Sequence, residues 1–121
     1  MLVENQILPK EISSLYDDLI DSCYQKISSK ERKVIHQSLL IAYSAHDGQI
    51  RKSGEPYVHH PIEVAKIVAK DIGLDYVSIA SAILHDVVED TDITLNDLDQ
   101  SVGMEISKIV DGLTKISTLK K

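Results

Sequence analysis

The sequence predicts an all-α fold, and three observations carry that prediction. Apolar residues recur at three- and four-residue steps in nearly every segment. Ser, Thr or Asp stands before several of these segments and Gly after them, as helix start and stop signals do. No stretch alternates apolar and polar residues in the manner of a strand. Composition agrees. The 121 residues include five Tyr but no Phe or Trp. The core must then be mainly Leu, Ile, Val and Ala, which suits close helix packing. A chain of this length supports one compact domain with one core, here residues 1–121.

The elements follow in order. Pro9 suits the first turn of a helix in which Ile12, Leu15, Leu19 and Cys23 share a face. Ser28 with Glu31 is a capping-box pattern, and the helix it opens buries Ile35, Leu39 and Ala42. Gly48 is expected to end that helix. Residues 49–60, QIRKSGEPYVHH, read as a loop, broken by Gly54-Glu55-Pro56. Pro61 opens a third helix with Ile62, Ala65 and Val68 inward, and Gly73 closes it. Asp75 caps a fourth, SIASAILHDVV, apolar nearly all round and therefore central. Thr94 with Asp97 starts a short fifth helix. Gly103 separates it from a sixth, whose apolar stripe is Ile106, Ile109, Val110 and Leu113. That stripe meets few partners before the sequence stops at Lys121, so the chain reads as the front part of a larger helical domain.

Charge and cysteine content exclude some functions. The formal charge is −6, which argues against a general nucleic-acid binder, since a phosphate backbone needs a broad basic face. An anionic small ligand needs only a local cationic pocket. Cys23 is the one cysteine and cannot form an internal disulfide; it reads as a small buried residue in a helix. The start, MLVENQILPKE, lacks the pattern of a signal peptide. No apolar run approaches the roughly 20 residues that span a bilayer. The expected setting is the cytoplasm.

The fourth helix carries the first chemical signal. It ends in His85-Asp86-Val87-Val88-Glu89-Asp90, so four ionisable groups finish a helix that should be buried. On one helix His85 lies over Glu89 and Asp86 over Asp90. An unpartnered buried charge costs several kcal/mol on the order of magnitude seen for ions leaving water. A divalent cation would resolve this by neutralising carboxylate and taking the imidazole lone pair. The plainer alternative is that the helix emerges into water, although acidic groups oppose the helix dipole at about 0.3–1 kcal/mol each. His60 precedes Pro61, where the chain should be extended. Two His and one Asp form a mixed nitrogen and oxygen set that suits Mn²⁺, Fe²⁺ or Zn²⁺ better than Ca²⁺. Three ligands also leave an open position for water. His36, His46 and His59 read as surface or capping residues. Arg51 and Lys52 make a cationic spot near His60, which reads either as a solvated loop or as a phosphate grip.

These elements occur together and in order. AHDGQIRKSGEPYVHHP, then ILHDVVEDT, then VDGLTKIS, resemble the N-terminal hydrolase domain of the RelA/SpoT homologue family, within the wider group of HD-domain phosphohydrolases. The resemblance covers roughly residues 34–117. It implies an all-helical HD fold, bound Mn²⁺ and metal-dependent removal of the 3′ pyrophosphate from the alarmones ppGpp and pppGpp. By motif, His60, His85 and Asp86 would hold the metal. Glu89 and Asp90 would position and deprotonate the attacking water. Arg51, Lys52, Ser53 and Tyr57 would line the nucleotide pocket. The family's fourth metal ligand is an Asp on a later helix, with no counterpart before Lys121; a C-terminally truncated domain is the expectation, with turnover expected of the full-length parent. Two other functions compete with this one. A nucleotide-binding or oligomerising module would use the sixth helix's apolar stripe for a partner, a second copy included. A related hydrolase would act on another nucleotide.

Overall fold

The computed structural model of the chain describes residues 10–21, 23, 27–50, 52–72 and 75–120, the side chains of residues 71, 72 and 116–120 excepted. The regular elements among the described residues are helices: α1 (Lys10–Asp21), α2 (Ser29–Ala45), α3 (His59–Ile67), α4 (Tyr76–Leu84), α5 (Val87–Asp90), α6 (Leu95–Ser101) and α7 (Met104–Lys120). A π-helical segment, Val68–Ile72, prolongs α3. The strand-type pairing among the described residues amounts to one isolated bridge, Ile50 with Pro56. The all-α expectation is borne out.

The capping residues set the helix starts. Ser28 Oγ accepts from the Glu31 N–H at 3.2 Å, and the Glu31 carboxylate accepts from the Ser28 N–H at 3.1 Å. Thr94 and Asp97 repeat the reciprocal pair at 3.1 and 3.0 Å. Asp75 accepts from the Ser78 N–H at 3.2 Å. Each satisfies N–H groups that a first turn leaves without a helical partner. Gly48 and Gly103 have φ of +82° and +104°. In this left-handed region a Cβ clashes with the backbone, so a glycine ends the turn after α2 and another separates α6 from α7. Gly73 lies outside the described residues.

Helix α4 is the axis of the fold. Seven of its nine residues are buried: Val77, Ile79, Ala80, Ser81, Ala82, Ile83 and Leu84. A helix apolar on every side must be surrounded, and α2, α3 and α7 surround this one. Ile35 and Leu39 reach it from α2, Ile62 and Ala65 from α3, and Ile106 and Val110 from α7 as parts of one core. Small residues such as Ala65 and Ala80 let the backbones approach. The Ser81 hydroxyl donates to the Val77 carbonyl at 2.7 Å, so the buried polar group is satisfied within its own helix.

Three expectations need correction. Helix α1 ends at Asp21, so Cys23 lies beyond it, half-buried, its Sγ 3.5 Å from the Leu19 carbonyl oxygen. Helix α3 begins at His59, not Pro61, and His60 is helical rather than extended. The proline is tolerated because the first turn of a helix asks nothing of its N–H groups. The fourth helix is not continuous through Asp90. It stops at Leu84, turns at His85 and Asp86, and resumes as α5.

Candidate metal centre

The break after Leu84 builds the site. The His85 ring donates from Nδ1 to the Ala82 carbonyl oxygen at 2.6 Å. In an unbroken helix that carbonyl would serve the Asp86 N–H. The side chain takes it instead, and local hydrogen bonds of this kind compete with the helix ladder. The same bond fixes the imidazole so that Nε2 faces away from the helix. Nε2 lies 3.1 Å from Asp86 Oδ2, and His60 Nε2, arriving from α3, lies 3.9 Å from the same oxygen. One donor atom from each of His60, His85 and Asp86 falls within 4.8 Å of the others. Among the described residues this is the His, Cys, Asp and Glu group whose geometry could hold a metal ion.

The electrostatics bind the pair tightly. The hydrogen bond from His85, opposed by burial and helped by Tyr57, holds the Asp86 carboxyl down at about 2. The hydrogen bond to Asp86 raises the His85 pKa above its ordinary value, while burial opposes it. The Ala82 carbonyl and the nearby charges of Asp86 and Asp90 raise it further. An ionised carboxylate beside two half-exposed imidazoles is a site prepared for positive charge, and a divalent cation replacing the shared proton fits that donor set.

A row of rings connects this site to the loop after α2. His46 and Tyr57 have centroids 4.6 Å apart, Tyr57 and His60 5.7 Å, and His60 and His85 5.6 Å. The Tyr57 hydroxyl donates to Asp86 Oδ2 at 2.5 Å. The loop returns on itself through the Ile50–Pro56 bridge and the bond from the Tyr57 N–H to the Gln49 carbonyl at 2.9 Å. A cavity of about 230 Å³ opens between the end of α2 and this loop, against Tyr43, His46, Asp47 and Gln49.

The structure thus gathers His60, His85, Asp86 and Tyr57. Glu89 is half-buried and Asp90 exposed on α5, one turn further along, and the Asp90 charge is felt at His85. Lys52 and Ser53 are exposed on the loop, and Arg51 lies outside the described residues. His59 turns elsewhere: its Nε2 is 3.1 Å from Glu11 of α1, and its Nδ1 3.6 Å from Glu55. His36 is exposed and meets Tyr16 edge-on, as a surface residue should. His46 bears out the capping half of its reading and corrects the surface half. It caps α2, but it is only 3% exposed and lies under Tyr57. The local pattern, a His before Asp-Gly at a helix end, gives no sign of that burial.

Fold and site together define an all-helical domain with a candidate imidazole–carboxylate metal centre. The chain belongs to the HD domain family, whose sequence model matches residues 38–121. It is 42% identical over 106 residues to a guanosine-3′,5′-bis(diphosphate) 3′-pyrophosphohydrolase of Vibrio cholerae, covering 88% of this chain and 15% of that protein. It is 40% identical, with the same coverage, to the bifunctional (p)ppGpp synthase/hydrolase SpoT of Escherichia coli. A Haemophilus influenzae protein named as the same pyrophosphohydrolase is 47% identical over 81 residues, 67% of this chain and 12% of its own length. The similarity to the RelA/SpoT homologues is borne out. The chain spans about one-seventh of the length of these curated relatives.

Proposed function

We propose that this chain forms the metal-binding part of a (p)ppGpp 3′-pyrophosphohydrolase domain. The observation that carries the reading is the meeting of His60, His85 and Asp86 within 4.8 Å, in a chain whose relatives are named for that reaction. Mn²⁺ is the proposed ion, with Fe²⁺ and Zn²⁺ as the alternatives the donor set admits. When bound, a divalent ion supplies positive charge beside the scissile pyrophosphate and makes water more acidic.

In this reading the residues divide the work. His60 and His85 offer neutral Nε2 lone pairs, and Asp86 offers a carboxylate already ionised at neutral pH. Glu89 and Asp90 orient the attacking water and take up its proton at a carboxylate oxygen. The loop of Arg51, Lys52, Ser53 and Tyr57 receives the nucleotide, its cations meeting phosphate charge. The water oxygen bonds to the phosphorus carried on the 3′ oxygen, the P–O3′ bond breaks, pyrophosphate departs with the water's oxygen, and the 3′ oxygen takes up a proton to leave GDP or GTP. The setting we propose is the cytoplasm; among the described residues no helix is long and apolar enough to cross a membrane.

The test is hydrolysis of ppGpp with added Mn²⁺ by the chain and by its full-length parent. The parent should release pyrophosphate and GDP, and His85→Ala or Asp86→Ala in the parent should abolish release while the fold persists. Turnover that survives either substitution overturns the reading. Turnover of another nucleotide in preference to ppGpp, in a panel, replaces the substrate. A second reading rests on α7, where Met104 is 62% exposed and Ile109 and Leu113 each 39%. Such a stripe supports association with a second copy. Sedimentation of the chain as a monomer at high concentration removes that reading.

A further inference from the structure

We propose that Tyr57 is a positioning residue for the metal-binding carboxylate of Asp86, and that the buried His46 holds Tyr57 in place. This inference rests on the metal-binding role proposed above, and it assigns Tyr57 a task separate from contact with the nucleotide.

Asp86 needs such a partner. It sits in the turn between α4 and α5, where no continuous helix fixes its side chain. Its Oδ2 is the oxygen nearest both His60 Nε2 and His85 Nε2, and so the atom that must be held still for the three donors to converge. Tyr57 donates its O–H to that same oxygen from a loop 29 residues earlier in sequence. A carboxylate oxygen has two lone pairs, so it can accept from Tyr57 on one side and face a cation on the other. Groups that orient a ligand in this way lower the cost of organising the site and raise its affinity.

Tyr57 is itself restrained at both ends. Its N–H donates to the Gln49 carbonyl at 2.9 Å, and its ring lies against His46 at 4.6 Å with the planes tilted by 46°. His46 is 3% exposed; its Nδ1 pairs with Gln49 Oε1 at 3.1 Å, and its Nε2 is buried with no hydrogen-bond partner among the described residues. A site that needed packing alone would fill this place with Leu and strand no nitrogen. The ring bound to Gln49 instead joins the capping residue of α2 to the residue that carries Tyr57's backbone bond. Tyr57 is thereby fixed relative to α2, and through its hydroxyl so is Asp86.

The experiment is Mn²⁺ titration of the full chain, read from the resonance signal of the free ion, with circular dichroism to follow helicity. Tyr57→Phe keeps the ring and drops the hydroxyl; it should weaken Mn²⁺ binding by about 10- to 100-fold, as loss of a ligand-orienting partner does, with helicity unchanged. Tyr57→Leu should lose at least as much. Adding Tyr57→Phe to Asp86→Asn should weaken binding no further, because the hydroxyl acts through the carboxylate. If Tyr57→Phe binds as tightly as the parent chain while Tyr57→Leu does not, the ring merely packs, and the positioning role falls while the metal reading stands. If the unsubstituted chain binds no Mn²⁺, both fall together.

Discussion

At His85 one side chain settles two matters. Its Nδ1 bond to the Ala82 carbonyl ends α4, and its Nε2 faces Asp86. Metal-ligating histidines commonly hold their second nitrogen on a backbone carbonyl in this way, which fixes the tautomer. The sequence placed His60, His85 and Asp86 in one site from residue type and context, and the three donors do converge. It could not show that His85 interrupts the helix, because the competing bond depends on a rotamer and not on residue type. The coupling between His85 and Asp86 gives a prediction at this scale. The hydrogen bond that His85 donates to the Asp86 carboxylate is the largest cause of its raised pKa. Asp86→Asn removes the charge and weakens that bond. In the metal-free chain, the His85 titration followed by NMR should therefore move down toward the ordinary histidine range. A titration unchanged in the variant would mean that the pair does not form in solution.

At the scale of elements, the caps at Ser28, Asp75 and Thr94 were legible because each involves residues three apart in sequence. The docking of α1 was not, since it depends on bonds between helices. The Tyr16 hydroxyl donates to the Arg32 carbonyl of α2 at 3.1 Å, and its ring meets His36 edge-on. Burial pushes the Tyr16 pKa up to about 12, with the Arg32 charge opposing, against 10.0 for a free tyrosine. The sign follows from the linkage of ionisation to folding. Below pH 10 the phenol is neutral in both states and its contribution to stability is whole. Between pH 10 and 12 the unfolded chain ionises while the folded one resists, so stability falls as pH rises. Urea midpoints measured across this window should drop for the parent chain, and less steeply for Tyr16→Phe. Equal slopes would show that α1 does not bury the phenol.

For the whole molecule, stability centres on α4. Ile83 is fully buried near its C-terminal end, within the core that joins α2, α3 and α7. Ile83→Ala should cost about 2–5 kcal/mol, the range for emptying a packed aliphatic site, seen as a lowered urea midpoint with an unchanged slope. The same truncation should loosen the candidate metal centre, because α4 leads directly into His85 and Asp86, which meet His60 of α3. A surface substitution such as Lys66→Ala, on the exposed face of α3, should leave the midpoint nearly where it was.

The sequence by itself determined the all-helical class, the central place of the SIASAIL segment, the caps and the identity of the residues that meet at the candidate centre. These are properties of periodicity and of neighbours a few positions apart. Only the tertiary structure decided that His46 is buried, that His59 turns toward Glu11 instead of the centre, and that the Tyr57 hydroxyl reaches Asp86. Each of those depends on how separate helices and a loop pack around α4. Such contacts join residues far apart in the chain, and no local pattern records the distance that folding leaves between them.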